Sequence, residues 1–255
     1  MQRVDVATDF FAGRQVGEPL TLSEDQAHYV RDVLRMVEGN RVELFDGEGR
    51  IARTTLVSID DEVVVEIDEL VESTRGESPL RCVLFQAIPK GKRWKWILEK
   101  STELGVDAIV PLETKRTVVK IPDKRLKRRM PRWEKILSSA ARQCERAVVP
   151  SIDRPVSLLQ AAKQVQCDVH LLAHPTPKAR TPAQVLDVID DPVDSVGIWI
   201  GPEGGFSDEE IDSLVQQGMH PIGLGPRILR ADTAGITALT LVQAARGDMG
   251  SHGPQ

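Results

Sequence analysis

The sequence predicts an α/β protein: a mostly parallel sheet with covering helices, preceded by a small β-barrel domain. Three observations carry that prediction. Short runs rich in β-branched residues fill the first 72 positions. From residue 80 onward, apolar strands alternate with helical patterns. Between the two lies ESTRGESP (72–79), polar, with Gly and Pro and no periodicity. Strand–helix alternation is the pattern of a parallel sheet covered on both faces. One short helix among several strands within ~70 residues fits a small barrel. The expected organisation is a barrel over 1–72, a linker over 73–79, an α/β domain over 80–247 and a flexible tail over 248–255.

In the barrel region, Ser23–Val37 reads as one helix, with Ser23 as N-cap and Tyr29, Val30, Val33, Leu34 and Val37 on one face. Arg41–Phe45, Ile51–Ile59 and Val63–Ile67 read as strands, with a hairpin signal at Asp46-Gly47 and Gly49. In the second region, Arg81–Ile88 is an apolar strand, and Lys92–Leu104 a helix ended by Gly105. Val106–Leu112 is a strand, and Pro131–Arg146 a long basic helix. Ser157–Gln166 is a helix, while Val169–Ala173 and Val196–Ile200 are strands. Ser207–Gln217 is a helix opened by a capping box, Ser207 with Glu210. Ile222–Leu224 is a short strand, and Ala231–Arg246 a helix ended by Gly247.

The chain has 255 residues, 41% of them hydrophobic, enough for a packed core. No stretch approaches the ~20 uninterrupted apolar residues that span a bilayer. The first fifteen residues carry charges where a secretion signal needs an apolar run, so a cytoplasmic location is expected. Cys82, Cys144 and Cys167 lack metal-ligand spacing and read as reduced thiols, and the five histidines are scattered, so no metal is expected. Net charge is −5 but unevenly spread. Residues 1–72 hold 7 basic and 17 acidic side chains, 73–150 hold 19 and 8, and 151–255 hold 7 and 13. A basic middle between acidic flanks is a candidate polyanion surface, or else a solvated helix face. P-loop, dinucleotide-fold, nucleophile-elbow and zinc-protease motifs are all missing. Trp94, Trp96 and Trp133 lie in basic helices; stacking on bases is one use and core packing the commoner one.

Two segments carry the chemistry. In IWIGPEGGF (198–206) a strand runs into three glycines before a capped helix. Glycines at a strand's C-terminal edge let backbone approach a ligand, and that edge is where α/β sheets bind ligands. In GLGPRILRADTAGITAL (223–239) a short strand and turn lead into a helix that opens with small residues. Those residues either admit a ligand or pack tightly on another element.

IGPEGGFSDEEI (200–211) and LGPRILRADTAGITAL (224–239) closely resemble the two ligand-loop signatures of bacterial 16S rRNA uracil-N3 methyltransferases, members of the SPOUT superfamily. HYVRDVLR (28–35), Phe45-Asp46-Gly47, Lys90–Val106 and Arg132–Arg146 extend the resemblance over nearly the whole chain. It implies a PUA-like barrel that grips RNA and a C-terminal α/β-knot methyltransferase domain. It also implies S-adenosylmethionine as cofactor, a homodimer, and as target the uracil numbered 1498 of small-subunit rRNA. Carried over, Leu172, Ala173 and His174 end the strand beneath the cofactor. Gly201, Pro202, Glu203, Gly204 and Gly205 wrap it. Leu224, Gly225, Ile228, Leu229 and Arg230 form the other wall, with Thr233 and Ala234 at the helix start. The family usually has Glu at the positions of Asp232 and Arg142.

Uracil N3 must lose a proton before it attacks a methyl group, and the resulting anion spreads onto the flanking carbonyl oxygens. Arg230 is the candidate to stabilise that anion, and Glu203 a weaker candidate base. Candidate RNA contacts are Arg3, Arg31, Arg35, Lys90, Lys92, Arg116, Lys124, Arg128, Arg129, Arg142 and Arg146. The first domain's net of −10 sits awkwardly with RNA binding. A SPOUT methyltransferase acting at another RNA position, or a non-catalytic RNA-binding assembly factor, remain as alternatives at this point.

Overall fold

The computed structural model describes residues 1–60, 62–174 and 179–250. Contacts divide the chain into two units. One comprises Met1–Glu77 with Ala141–Val149, and the other Ser78–Ala140 with the chain from Pro150 onward.

The first unit is a five-stranded mixed sheet wrapped around an apolar core. Its strands are β1 (Gln2–Asp5), β2 (Pro19–Thr21), β3 (Arg41–Phe45), β4 (Arg50–Ser58) and β5 (Val64–Glu72), in the order β1-β3-β4-β5-β2. β1 runs parallel to β3 and the other pairs are antiparallel. β1 and β2 are too short to show in the sequence pattern. The expected hairpin joins β3 to β4. Buried Asp46 accepts from the Glu48 and Arg50 amides (2.8 and 3.0 Å) and so fixes the turn. Val4, Leu20, Val30, Leu44, Leu56 and Ile67 form the centre of the core.

The helix expected over 23–37 is shorter. α1 (Glu24–His28) gives way to a π-helical turn at Tyr29–Val33, closed by the Leu34 amide donating to Tyr29 O (2.9 Å). The wider turn rotates the expected apolar face, so Val30 is buried while Val33 and Val37 are exposed. Arg35, at φ 52°, ends the element.

Residues 141–149 add a second layer to this unit. Ala147 packs with Phe45 and Ile51, and the Val149 amide donates to Gly47 O at 2.9 Å. Buried Arg3 pairs with buried Glu43 at 2.7 Å and donates to Arg146 O at 3.0 Å. Its guanidinium lies 4.2 Å from the Phe45 ring centroid. Arg75 reaches the same Glu43 oxygen (2.6 Å), and Arg146 pairs with Glu77 (2.6 Å).

The second unit is the expected parallel sheet. Its strands are β6 (Arg81–Ala87), β7 (Ala108–Glu113), β8 (Ser151–Ile152), β9 (Val156–Ser157), β10 (Val169–Ala173), β11 (Ser195–Ile200) and β12 (His220–Ile222). Their order is β12-β10-β11-β6-β7-β8, with β9 also on β7, and every pair is parallel. The helices are α2 (Arg93–Glu103), α3 (Asp123–Gln143), α4 (Leu158–Gln164), α5 (Pro182–Leu186), α6 (Asp208–Gln216) and α7 (Ala231–Arg246). α7 lies against α2, α5, β6 and β11. Leu158 and Ala161 of α4 and Ile211 and Leu214 of α6 share one core with Phe85 and Trp199 of the sheet. Phe85 and Trp199 stack at 3.9 Å. Trp199 Nε1 donates to His170 Nδ1 (3.0 Å), and burial holds that imidazole below its ordinary pKa.

α3 starts eight residues before the expected Pro131, which lies inside it. Buried Leu126 anchors the extra turns, two turns before buried Trp133. Trp94 and Trp133 pack edge to face at 5.6 Å, the core use, while Trp96 is exposed. Burial pushes the Cys82 thiol up to about 12 and Cys167 to about 11, so neither is a ready thiolate.

Candidate functional site

The two glycine-bearing loops leave the same edge of the sheet. Residues 201–206 follow β11, and 223–230 follow β12. β10 lies between those strands and pairs with both, so the loops start about 10 Å apart, two strand spacings. Leu172 and Ala173 end β10 between them, Leu172 buried and Ala173 half-buried. The His174 amide donates to Ile222 O at 3.1 Å, so the end of β10 is tied to β12.

The first loop closes on itself. The Gly205 amide donates to Pro202 O (2.8 Å), and Gly205 takes φ +66°. A Cβ on Gly201 would stand 3.1 Å from the Gly205 carbonyl carbon and the Phe206 nitrogen, so the turn tolerates little but glycine there. Glu203 Oε1 accepts from the Lys90 amide at 2.9 Å. Burial would raise this carboxyl's pKa. The Lys90 amide, Glu203's own amide and the charges of Lys90 and Arg93 outweigh it, and the carboxyl is held below its usual range. A carboxylate so stabilised is a poor proton acceptor and serves as a fastening to the loop after β6.

The second loop is more open. Gly223 sits tightly against Ala179, but Gly225 takes φ +101°, and Gly225, Pro226, Arg227 and Ile228 are exposed. Leu224 and Leu229 are half-buried. Arg230 stands at the N-cap of α7, exposed and without an ion pair among the described residues. Thr233 is exposed and Ala234 half-buried in the first turn. Arg93, at the start of α2, approaches Asp232 at 3.5 Å. The small residues of α7 also serve packing: Ala231 is buried, and a Cβ on Gly235 would meet Gln86 Oε1 at 2.5 Å.

A group bound here would meet main chain more than side chain. Beside both Gly205 and Gly225, the space where a Cβ would stand has nothing within 4 Å among the described residues. Main chain exposed at 203–204 in one loop and 225–228 in the other, at the carboxyl edge of a parallel sheet, suits a nucleoside read through backbone groups. Among the described residues no cluster of His, Cys, Asp or Glu could hold a metal.

The expected RNA contacts fall into three groups. Arg3 and Arg146 are corrected: both are buried in ion pairs that hold the first unit together, so neither is presented to solvent. Arg142 is half-buried, pairs with Asp5 (2.7 Å) and lies over the Tyr29 ring. Arg31, exposed, donates to Asp60 O at 2.6 Å, and Arg35 is exposed. Arg116 donates to two carbonyls of the first glycine loop. Lys90 and Lys92 are exposed beside that loop's fastening point. Lys124, Arg128 and Arg129 are exposed on α3. The charge reading passed over Arg125, Lys127, Arg132 and Lys135 of the same helix, which are exposed too. None of these seven cations forms an ion pair among the described residues. Lys124, Arg128, Arg132 and Lys135 recur at helical spacing along one face, opposite buried Leu126, Trp133 and Leu137. That periodicity was the available signal.

Residues 76–243 match the family model described as an RNA methyltransferase domain, and residues 22–68 the one described as an RNA methyltransferase PUA domain. The first match spans more than half of the chain and sets the class, an RNA methyltransferase. The chain is 32% identical over 246 residues to ribosomal RNA small subunit methyltransferase E of Bacillus subtilis (strain 168), covering 92% of this chain and 96% of the relative. Among solved structures, a methyltransferase from Legionella pneumophila in complex with the cofactor SAM is 38% identical, with a TM-score of 0.85 over 96% of this chain and 98% of that one. Ribosomal RNA small subunit methyltransferase E from Neisseria gonorrhoeae, bound to S-adenosyl methionine, is 29% identical, with a TM-score of 0.84 over 97% and 98%. The chain belongs to the ribosomal RNA small subunit methyltransferase E family.

Proposed function

We propose that this protein transfers a methyl group from S-adenosylmethionine to N3 of a uracil in 16S rRNA, the uracil numbered 1498, and that it works as a cytoplasmic homodimer. The observation that carries the reading is the pair of glycine-bearing loops flanking β10, each with open space beside a positive-φ glycine. Leu172, Ala173 and His174, the 201–205 loop, Leu224, Gly225, Ile228, Leu229, Thr233 and Ala234 would hold the cofactor, largely through main-chain groups. When bound, it supplies an electrophilic methyl group on sulfur.

Arg230 does the work on the nucleobase. Its free guanidinium stabilises the negative charge that develops on the uracil oxygens as the N3 proton leaves. Glu203, tied to the Lys90 amide, braces its loop, and its carboxylate is a weak base. The target base must be unpaired or flipped out to reach this edge. The exposed cations of α3, Lys124, Arg128 and Arg129 among them, support a reading in which phosphates are held there, joined by Lys90 and Lys92 near the loops. Ile228, 93% exposed, is the kind of apolar side chain that a second copy covers.

The test is mass-spectrometric mapping of rRNA from a strain lacking the gene, with and without complementation. The expected result is one uracil N3 methyl group lost and then restored. A methyl group lost from another position, or from none, overturns the assignment.

A further inference from the structure

We infer that Arg116 is a positioning residue of the cofactor loop, holding the 201–206 turn in its ligand-ready shape, and not an RNA contact. The inference rests on the cofactor reading above for its consequence, though not for its geometry. Arg116 Nη1 donates to Gly204 O (2.9 Å) and Phe206 O (3.0 Å). The arginine stem lies along Gly204, its Cβ and Cδ each 3.5 Å from where a Cβ on that glycine would stand. These two carbonyls bracket Gly205, the residue at φ +66°. The amides of the same two peptide units are held separately, Gly205 N–H by Pro202 O (2.8 Å) and Ser207 N–H by Glu210 Oε2 (2.8 Å), and the guanidinium fastens their carbonyl ends beside a glycine that resists rotation little on its own.

Arg116 is itself presented from a rigid base. The Thr114 amide donates to Thr117 Oγ1 (2.9 Å) and the Thr117 amide to Thr114 O (3.1 Å), which closes 114–117 into a turn. The Lys115 amide donates to Glu210 Oε1 (2.7 Å), and Glu210, buried, takes the Ser207 amide on its other oxygen (2.8 Å). Lys115 and Glu209 add an ion pair at the surface. The turn after β7 is thus bonded both to the glycine loop and to the start of α6. In the sheet, β6 lies between β11 and β7. The guanidinium therefore draws the loop across the end of β6, away from β10, the strand end flanked by both glycine-bearing loops. Glu203 on the Lys90 amide pulls in the same direction.

The test is Arg116→Ala, with Arg116→Lys as its partner. Arg116→Ala should raise the KM for S-adenosylmethionine about tenfold, the effect of losing charge-assisted hydrogen bonds, with kcat nearly unchanged. Affinity for rRNA and its salt dependence should stay as in the wild type. Arg116→Lys should recover part of the loss, since an ammonium reaches a carbonyl but lacks the planar fork. Amide hydrogen exchange over 204–207, measured without cofactor, should quicken in the Ala variant. If cofactor KM and loop exchange are unchanged while rRNA affinity and its salt slope fall, Arg116 is a phosphate contact and the inference is overturned. If the wild-type protein binds no S-adenosylmethionine, the cofactor reading fails, and the exchange experiment still decides whether Arg116 holds the loop.

Discussion

The cations of the first unit and those of α3 look alike in the sequence and do opposite things. Arg3, Arg75 and Arg146 sit against Glu43 and Glu77, and Arg3 and Arg146 are out of solvent. Lys124, Arg128, Arg132 and Lys135 face water along one side of a helix, with no ion pair among the described residues. A buried guanidinium is held by its partners and costs stability when one is removed; an unpaired surface cation costs almost nothing to lose but can meet an anion. The first unit stays acidic even with Glu43 and Glu77 paired, while a row of cations with no ion pair among the described residues stands on α3.

The comparison can be broken at its strongest point first. Arg3→Met leaves Glu43 with Arg75 alone and should destabilise the first unit by about 3–5 kcal/mol in chemical unfolding. A loss under about 1 kcal/mol would mean that the pair is not what holds this unit. Arg230→Ala tests a free cation placed at the site: methylation should fall at least ~100-fold while calorimetric affinity for S-adenosylmethionine stays within about threefold. Combined reversal at Lys124, Arg128 and Arg132 should weaken rRNA binding at least ~10-fold near 0.1 M salt and flatten the log–log salt slope by about 2–3, with an unchanged melt. Equal affinity at low salt would return α3 to an ordinary solvated face.

The smallest effect concerns a half-buried group outside both sets. His170 has a folded pKa below its ordinary 6.5, so the unfolded chain takes up its proton first. Its contribution is present above pH 6.5 and lost as pH falls through the folded value. Melting followed from pH 7.5 to 5.5 should show a slightly steeper loss in wild type than in His170→Gln.

Much of the second unit was legible because its signals are local. The strands at 169–173 and 195–200 are apolar runs between turn residues, and Ser207 with Glu210 marks the start of α6 in the sequence alone. The two loops were legible as glycine clusters after strands, and the sheet order then places them on either side of β10. What escaped depends on partners distant in sequence. Nothing in the RNA-contact pattern distinguishes Arg3 from Arg31; burial against Glu43 and Phe45 does. Pro131 read as a helix start because its missing N–H is harmless there, yet Leu126 anchors α3 ahead of it. The π-turn at 29–33 defeated a reading at 3.6 residues per turn.

The return of residues 141–149 to the first unit bears on how the chain is made. Arg3 reaches the Ala141 carbonyl across 138 positions, and Glu77 takes the Val148 amide across 71. When the ribosome has delivered Glu77, the barrel is therefore a torso without its closing strap: Glu77 has no Arg146, and Phe45 and Ile51 have no Ala147 to cover them. Such long-range closure is slow, and it postpones completion of the first unit until Ser78–Ala140 of the second has been made. A fragment cut at residue 77 is for that reason an unfinished object, and the stretch that finishes it begins in the last turn of the basic helix.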